Sequence, residues 1–309
     1  MSFLYLLEKI RVSGLNELML AVTTLGEETA FLVLALIVFW CVDKRQGYYI
    51  MSVGFLGTMA NQFLKLLCRV PRPWVLDPEF TILEQAREAA AGYSFPSGHS
   101  QTAVGTFGCI AASANKRWIK IVCIVIMVLV PFSRMYVGVH TPADVLVGSG
   151  MALLLVWLLR PVVFHDDDKR MRALIAVMLG LSIAFMLFVE LHAFPVDMDV
   201  HNLESGHKNA YTLLGCLIGV AIVYAADKKW LNFPVKATWW AQLLKIVIGL
   251  ALVLLVKSGL KAPLEALFGG HMAARAVRYF LVVVTAGVLW PMSFRWFAKL
   301  GNNKKGKPE

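Results

Sequence analysis

Apolar residues run along this chain in long blocks, separated by short segments that hold most of its charge. A helix that crosses a bilayer needs about 20 largely apolar residues, or fewer where its ends reach the interface. On that criterion the pattern predicts nine spans, at residues 26–42, 48–67, 100–114, 119–136, 143–159, 173–191, 210–226, 240–260 and 276–296. The first and third are short, and Glu27 and Glu28 place the start of the first at an interface or in a polar cavity. Residues 1–14 carry Glu8, Lys9 and Arg11 and lack a small-residue cleavage site, so Phe3, Leu4, Leu6, Leu7 and Ile10 read as one face of an interfacial helix rather than a signal peptide.

The polar segments orient the bundle. Lys44-Arg45, Lys116-Arg117 with Lys120, Arg160 with Lys169-Arg170 and Arg172, Lys228-Lys229 with Lys236, and Lys299 with Lys304-Lys305 all fall on one side of a nine-span chain, the cytoplasmic side by charge bias. The amino terminus and the loops at 68–99, 137–142, 192–209 and 261–275 are then outside. Lys9, Arg11, Arg69, Arg72 and Arg87 run against the rule.

Composition agrees with the pattern. The 309 residues are 58% hydrophobic and 16% charged, with a net charge of +10 from 30 Lys and Arg against 20 Asp and Glu. The excess sits in juxtamembrane segments, where it meets anionic lipid headgroups, and with no basic soluble domain present nucleic acid is not a partner. The five cysteines are widely spaced and mostly inside apolar runs, which excludes a disulfide framework and a Cys-x-x-Cys metal site. Gly215 and Gly219 have the spacing that lets membrane helices approach closely, and are read as packing within the bundle; oligomeric state is left open.

Candidate chemistry gathers on the predicted outer face. Lys65 ends the second span, Arg72-Pro73 follows, Pro96-Ser97-Gly98-His99 opens the third, and Ser133-Arg134 ends the fourth before His140 and Asp144. Lys65, Arg72 and Arg134 are donors without acceptors, suited to a phosphate whose spread charge needs several cations. Ser97 and Gly98 offer a hydroxyl and a closely approachable backbone at a helix start. Phosphoryl transfer can use one histidine as nucleophile and another as acid, and an aspartate on one ring nitrogen would fix the tautomer. Each residue also has a plainer reading: Lys65 and Arg134 as snorkelling span ends, Ser97 as a helix cap, Thr141 with Asp144 as a capping pair. The loop at 190–207 is rich in His, Asp and Glu but lacks a ligand spacing, and reads as a solvated loop lining an entrance, not a metal site.

These three motifs, Lys-x6-Arg-Pro, Pro-Ser-Gly-His and Ser-Arg-x5-His-x3-Asp, are intact and in order, and over roughly residues 47–160 the chain resembles the type 2 phosphatidic acid phosphatase superfamily. The resemblance implies an all-α polytopic transmembrane bundle and a metal-independent phosphatase with no cofactor. By carry-over His140 is a nucleophile that forms a phosphohistidine, Asp144 supports it, His99 protonates the leaving group, and Lys65, Arg72, Ser97, Gly98 and Arg134 bind the phosphate. Soluble members that bind vanadate do not fit the nine apolar spans. A family core of six spans divides the chain into an interfacial segment 1–25, a phosphatase core 26–191, a three-span extension 192–298 and a basic cytoplasmic tail 299–309.

The expected substrate is a membrane lipid phosphate or diphosphate, and the outer face points to a polyprenyl diphosphate such as undecaprenyl diphosphate at a bacterial inner membrane. Phosphatidic acid, phosphatidylglycerophosphate or a sphingoid-base phosphate are the alternatives. A lipid phosphotransferase could use the same intermediate, and a lipid transporter or scaffold with a phosphatase-like bundle is the rival from another class.

Overall fold

The structure is a computed structural model, and it describes residues 1–300 apart from 89, 91, 196, 197 and 199. The basic tail beyond Leu300, and Val196, Asp197 and Asp199 of the acidic loop, lie outside the described residues. Fourteen α-helices follow one another: α1 Ser2–Lys9, α2 Ser13–Thr24, α3 Glu28–Cys41, α4 Lys44–Cys68, α5 Pro73–Leu76, α6 Gly98–Ser113, α7 Arg117–Tyr136, α8 Pro142–Val163, α9 Asp168–Leu191, α10 Val200–Ala226, α11 Trp239–Gly259, α12 Lys261–Leu267, α13 Ala273–Val284 and α14 Phe294–Lys299. No strand occurs among the described residues, so the chain is an all-α integral membrane protein.

All nine expected spans fall on helices, yet they do not all cross alone. Among the described residues seven are long and apolar enough, and α2 with α3, bent by 51°, makes up to an eighth. The remaining one, α6, has only 16 residues. At 1.5 Å per residue it reaches about 24 Å, short of the roughly 30 Å hydrocarbon core. Its burial gives the reason: Ser100, Gln101, Val104, Gly105 and Phe107 are among its enclosed residues, and α6 packs against α7 and α8 instead of facing lipid.

The chain forms two compact units. The first holds residues 1–34, 49–164 and 191–206; the second holds 35–48, 165–190 and the described residues from 207 on. Within the second unit Lys44 pairs with Asp227 at 2.7 Å, and the buried Lys245 ammonium donates to the Trp40 carbonyl at 2.8 Å. A Cβ at Gly215 would collide with the Ala276 carbonyl, so α10 and α13 meet there backbone to backbone.

In the first unit α7 and α8 are joined by residues 137–141, and Thr141 starts α8 with a capping box: its hydroxyl accepts from the Asp144 amide, and the Asp144 carboxylate accepts from the Thr141 amide. Proline at the first helical position fixes the entry angle. Ser97 caps α6 in the same way, accepting from the Ser100 amide and, at 2.9 Å, from the Ser100 hydroxyl.

Candidate active site

Four helix ends deliver the site, all within the first compact unit. The end of α4 brings Lys65, the start of α6 brings Ser97, Gly98 and His99, the end of α7 brings Arg134, and the loop into α8 brings His140 with Asp144 on the first turn. Arg72 caps α5 on the stretch between α4 and α6. Two of these ends are locked together by the backbone, because the Ser97 amide donates to the Asp144 carbonyl at 2.9 Å.

The histidine and carboxylate are coupled through one oxygen. Asp144 Oδ2 accepts from the Thr141 amide at 2.8 Å and the Ser94 hydroxyl at 2.5 Å, and it faces His140 Nδ1 at 3.3 Å. Arg72 Nη1 lies against the same ring, 2.9 Å from His140 Nε2 and 3.5 Å from Nδ1. The Asp144 contact favours the tautomer with its proton on Nδ1, which leaves the lone pair on Nε2. Burial keeps His140 well below its ordinary pKa, and the charges of Arg72, Arg134 and Lys65 push the same way, as does His99. A neutral imidazole whose lone pair lies on Nε2 is the form that can attack phosphorus.

The cations are enclosed. Lys65 is 6% exposed, Arg72 5% and Arg134 0%, so Lys65 and Arg134 do not snorkel. Lys65 Nζ donates to the Tyr93 carbonyl at 2.5 Å, and Arg72 to the Gly92 and Val139 carbonyls at 3.0 and 2.9 Å. Arg134 Nη1 donates to Thr23 Oγ1 at 2.8 Å, while its buried Nε and Nη2 make no hydrogen bond. His99 Nε2 is likewise buried and unbonded. Against these three cations stand the buried Asp144 and, acting on Arg134, the half-buried Glu27, and a buried positive excess is costly unless an anion compensates it. With the N-terminus of α6 adding backbone donors, the arrangement suits a tetrahedral oxyanion beside a buried histidine.

Three partners escape the sequence reading: Ser94 on Asp144, Thr23 on Arg134, and buried Asn61, which donates to the Pro96 carbonyl at 3.2 Å. Asn61 carried a signal, a polar residue one helical turn before Lys65 inside an apolar run. Thr23 carried none, since its contact spans 111 residues. Among the described residues no group of three or more His, Cys, Asp or Glu could hold a metal.

The chain is similar to several known proteins. The PAP2 superfamily pattern matches residues 45–168, and the transmembrane extension of PAP2 superfamily phosphatases matches 211–304. Phosphatidylglycerophosphatase B of Bacillus subtilis is 34% identical over 175 residues, 53% of this chain and 81% of that protein. An undecaprenyl-diphosphatase of Sulfolobus acidocaldarius is 28% identical over 45% of this chain and 66% of its own length. Sphingosine-1-phosphate phosphatase 1 of Rattus norvegicus is 24% identical over 77% of this chain and 58% of its own. No solved structure matches. With all three motifs converging on one enclosed cation cluster and a 34% identical relative matched over most of its length, the chain belongs to the PAP2 superfamily, whose phosphatases hydrolyse lipid phosphates.

Proposed function

We propose that the chain releases phosphate from a lipid diphosphate or monoester at the outer face of a bacterial inner membrane, through a phosphohistidine on His140. The observation that carries this reading is a buried imidazole facing Asp144, with Arg72 against its ring and the charges of the buried Arg134 and Lys65 acting on it. Nε2 forms the bond to phosphorus as the bond from phosphorus to the leaving oxygen breaks. Arg72, Lys65 and Arg134, with the Ser97 hydroxyl and the Gly98 amide, take the charge on the three remaining oxygens. Burial and the charges of Arg134, Lys65 and Arg72 disfavour His99 as imidazolium until the substrate's negative charge offsets them; the protonated His99 then gives its proton to the departing oxygen and afterwards removes one from the water that cleaves the phosphorus–nitrogen bond. Free phosphate leaves and both histidines return to their starting forms.

A polyprenyl diphosphate such as undecaprenyl diphosphate is the favoured substrate. The charge bias of the nine-span reading supports a site on the outer face, and one similar protein is an undecaprenyl-diphosphatase. Phosphatidylglycerophosphate is the second reading, favoured by the 34% identity to a phosphatidylglycerophosphatase. The test is phosphate release by the purified protein from undecaprenyl diphosphate, phosphatidylglycerophosphate and phosphatidic acid, with a chelator present throughout. Release in chelator from at least one of them is expected; release that needs added divalent metal would contradict the mechanism.

Ser94 is assigned as a positioning residue, since it reaches the reaction only through Asp144. Ser94→Ala removes one hydrogen bond to a buried carboxylate, an interaction of about 1.5–3 kcal/mol, which is about tenfold or more in rate. The loss is expected in kcat with KM held, because the phosphate-binding cations are untouched. A rise in KM alone would reassign the residue.

A further inference from the structure

Of the five basic residues that break the charge bias, Arg11 has a structural role, donating to the Tyr136 and Thr81 carbonyls at 2.9 and 2.8 Å. Three of the others, Arg69, Arg72 and Arg87, line a single cavity of about 990 Å³. Arg72 is the wall it shares with the reaction centre, through its contact with His140. The Trp74 ring is within cation–π reach of two of the guanidiniums, 5.9 Å from that of Arg72 and 5.3 Å from that of Arg87. Glu88 is the carboxylate in the lining, and Glu84 pairs with Arg87 at 2.6 Å, yet the walls themselves carry three arginines against one acid.

The backbone singles out Arg69. It ends α4 with φ at +49°, its amide donating to the Lys65 carbonyl at 3.1 Å. Every other described residue with such a φ is a glycine or Asn232. Glycine is the residue that ends a helix in this conformation without steric cost, so the arginine stands here against a backbone cost.

We infer that Arg69 and Arg87 form a second anion subsite, which holds a headgroup phosphate other than the one transferred to His140, so that lipids with two phosphates are preferred over simple monoesters. The inference rests on the phosphatase reading. The shared chemistry is a phosphate next to the scissile one, either the inner phosphate of a polyprenyl diphosphate or the phosphodiester of phosphatidylglycerophosphate. It accounts for cations on a face where topology disfavours them, and for their position around Arg72, which touches both regions.

Arg69→Gly tests it cleanly, because the substitution removes the charge and relaxes the backbone, and so does not threaten folding. The measurement is kcat/KM of wild type, Arg69→Gly, Arg69→Lys and Arg87→Gln on undecaprenyl diphosphate, phosphatidylglycerophosphate and phosphatidic acid in mixed micelles. For at least one two-phosphate lipid, Arg69→Gly and Arg87→Gln are expected to lose about tenfold relative to phosphatidic acid, carried by KM, with Arg69→Lys recovering part of it. The lipid that loses names the source of the second phosphate. An unmoved ratio, or a wild type that acts on phosphatidic acid alone, overturns the subsite while leaving the phosphatase reading intact. A wild type that releases phosphate from none of the three lipids overturns both.

Discussion

His140→Ala is expected to lower kcat for phosphate release by about 10³-fold or more, as removal of a covalent nucleophile does elsewhere. The fold should survive. Asp144 Oδ2 keeps the Thr141 amide and the Ser94 hydroxyl, so the lost contact costs about 1–3 kcal/mol of stability, not the whole of it. Helical circular dichroism and the melting temperature in detergent separate the two quantities, and a variant that keeps near-normal turnover would sink the mechanism. The wild-type pH profile gives an independent check. His140 is held below its ordinary pKa, so the attacking imidazole is already neutral at pH 6.5 and protonates only as pH falls further. The acid limb of kcat/KM that belongs to it must therefore lie below about pH 6.5, and a limb at higher pH would contradict the assignment.

The second large effect comes from a residue without a side chain. Gly148 lies one turn after Asp144 on α8, and a Cβ there would sit 2.5 Å from the Ser97 carbonyl oxygen. That oxygen is backbone, already accepting from the Gln101 amide at 3.1 Å, and cannot swing aside. Gly148→Ala must push the start of α6 away from α8, moving Ser97, Gly98 and His99 together. Overpacking of this kind costs about 1–3 kcal/mol of stability. A displacement approaching 1 Å at reacting groups costs about 10²-fold in rate. Gly150, two residues on in the same helix, has nothing within 4 Å of its added Cβ. Gly150→Ala is thus the control, expected to keep full activity and, by helix propensity, to lose no stability. Equal behaviour of the two variants would show that the α6–α8 approach does not set the site.

How much of this was legible depends on how far apart in the chain the partners lie. His140 and Asp144 share a helix start, and Lys65, Arg72, Ser97 and Arg134 each sit at the end of an apolar run, so pattern and residue type together located them. The plainer readings of Ser97 and Asp144 as capping residues are also true of the structure, and do not compete with a role at the site: the same Oδ2 that caps α8 faces His140. For Lys65 and Arg134 the alternatives did compete, and burial decided between them. The sequence could not place α6, whose apolar run is that of a span although its neighbours are helices. Nor could it pair Ser94 with Asp144, because a serine among turn-forming residues carries no mark of the carboxylate 50 positions later.

The capping box at the start of α8 also has a consequence for biogenesis. The pairing of Asp144 with Thr141 and His140 is settled within five consecutive residues, as soon as that helix begins to wind, whereas Arg72 reaches His140 across 68 positions and Thr23 reaches Arg134 across 111. During synthesis the histidine is thus aimed early and locally, while the phosphate cradle closes only when the earlier helices dock around it. A partly inserted chain carries a correctly poised imidazole with nothing to hold a substrate against it, and so stays chemically silent in the membrane until its packing is finished.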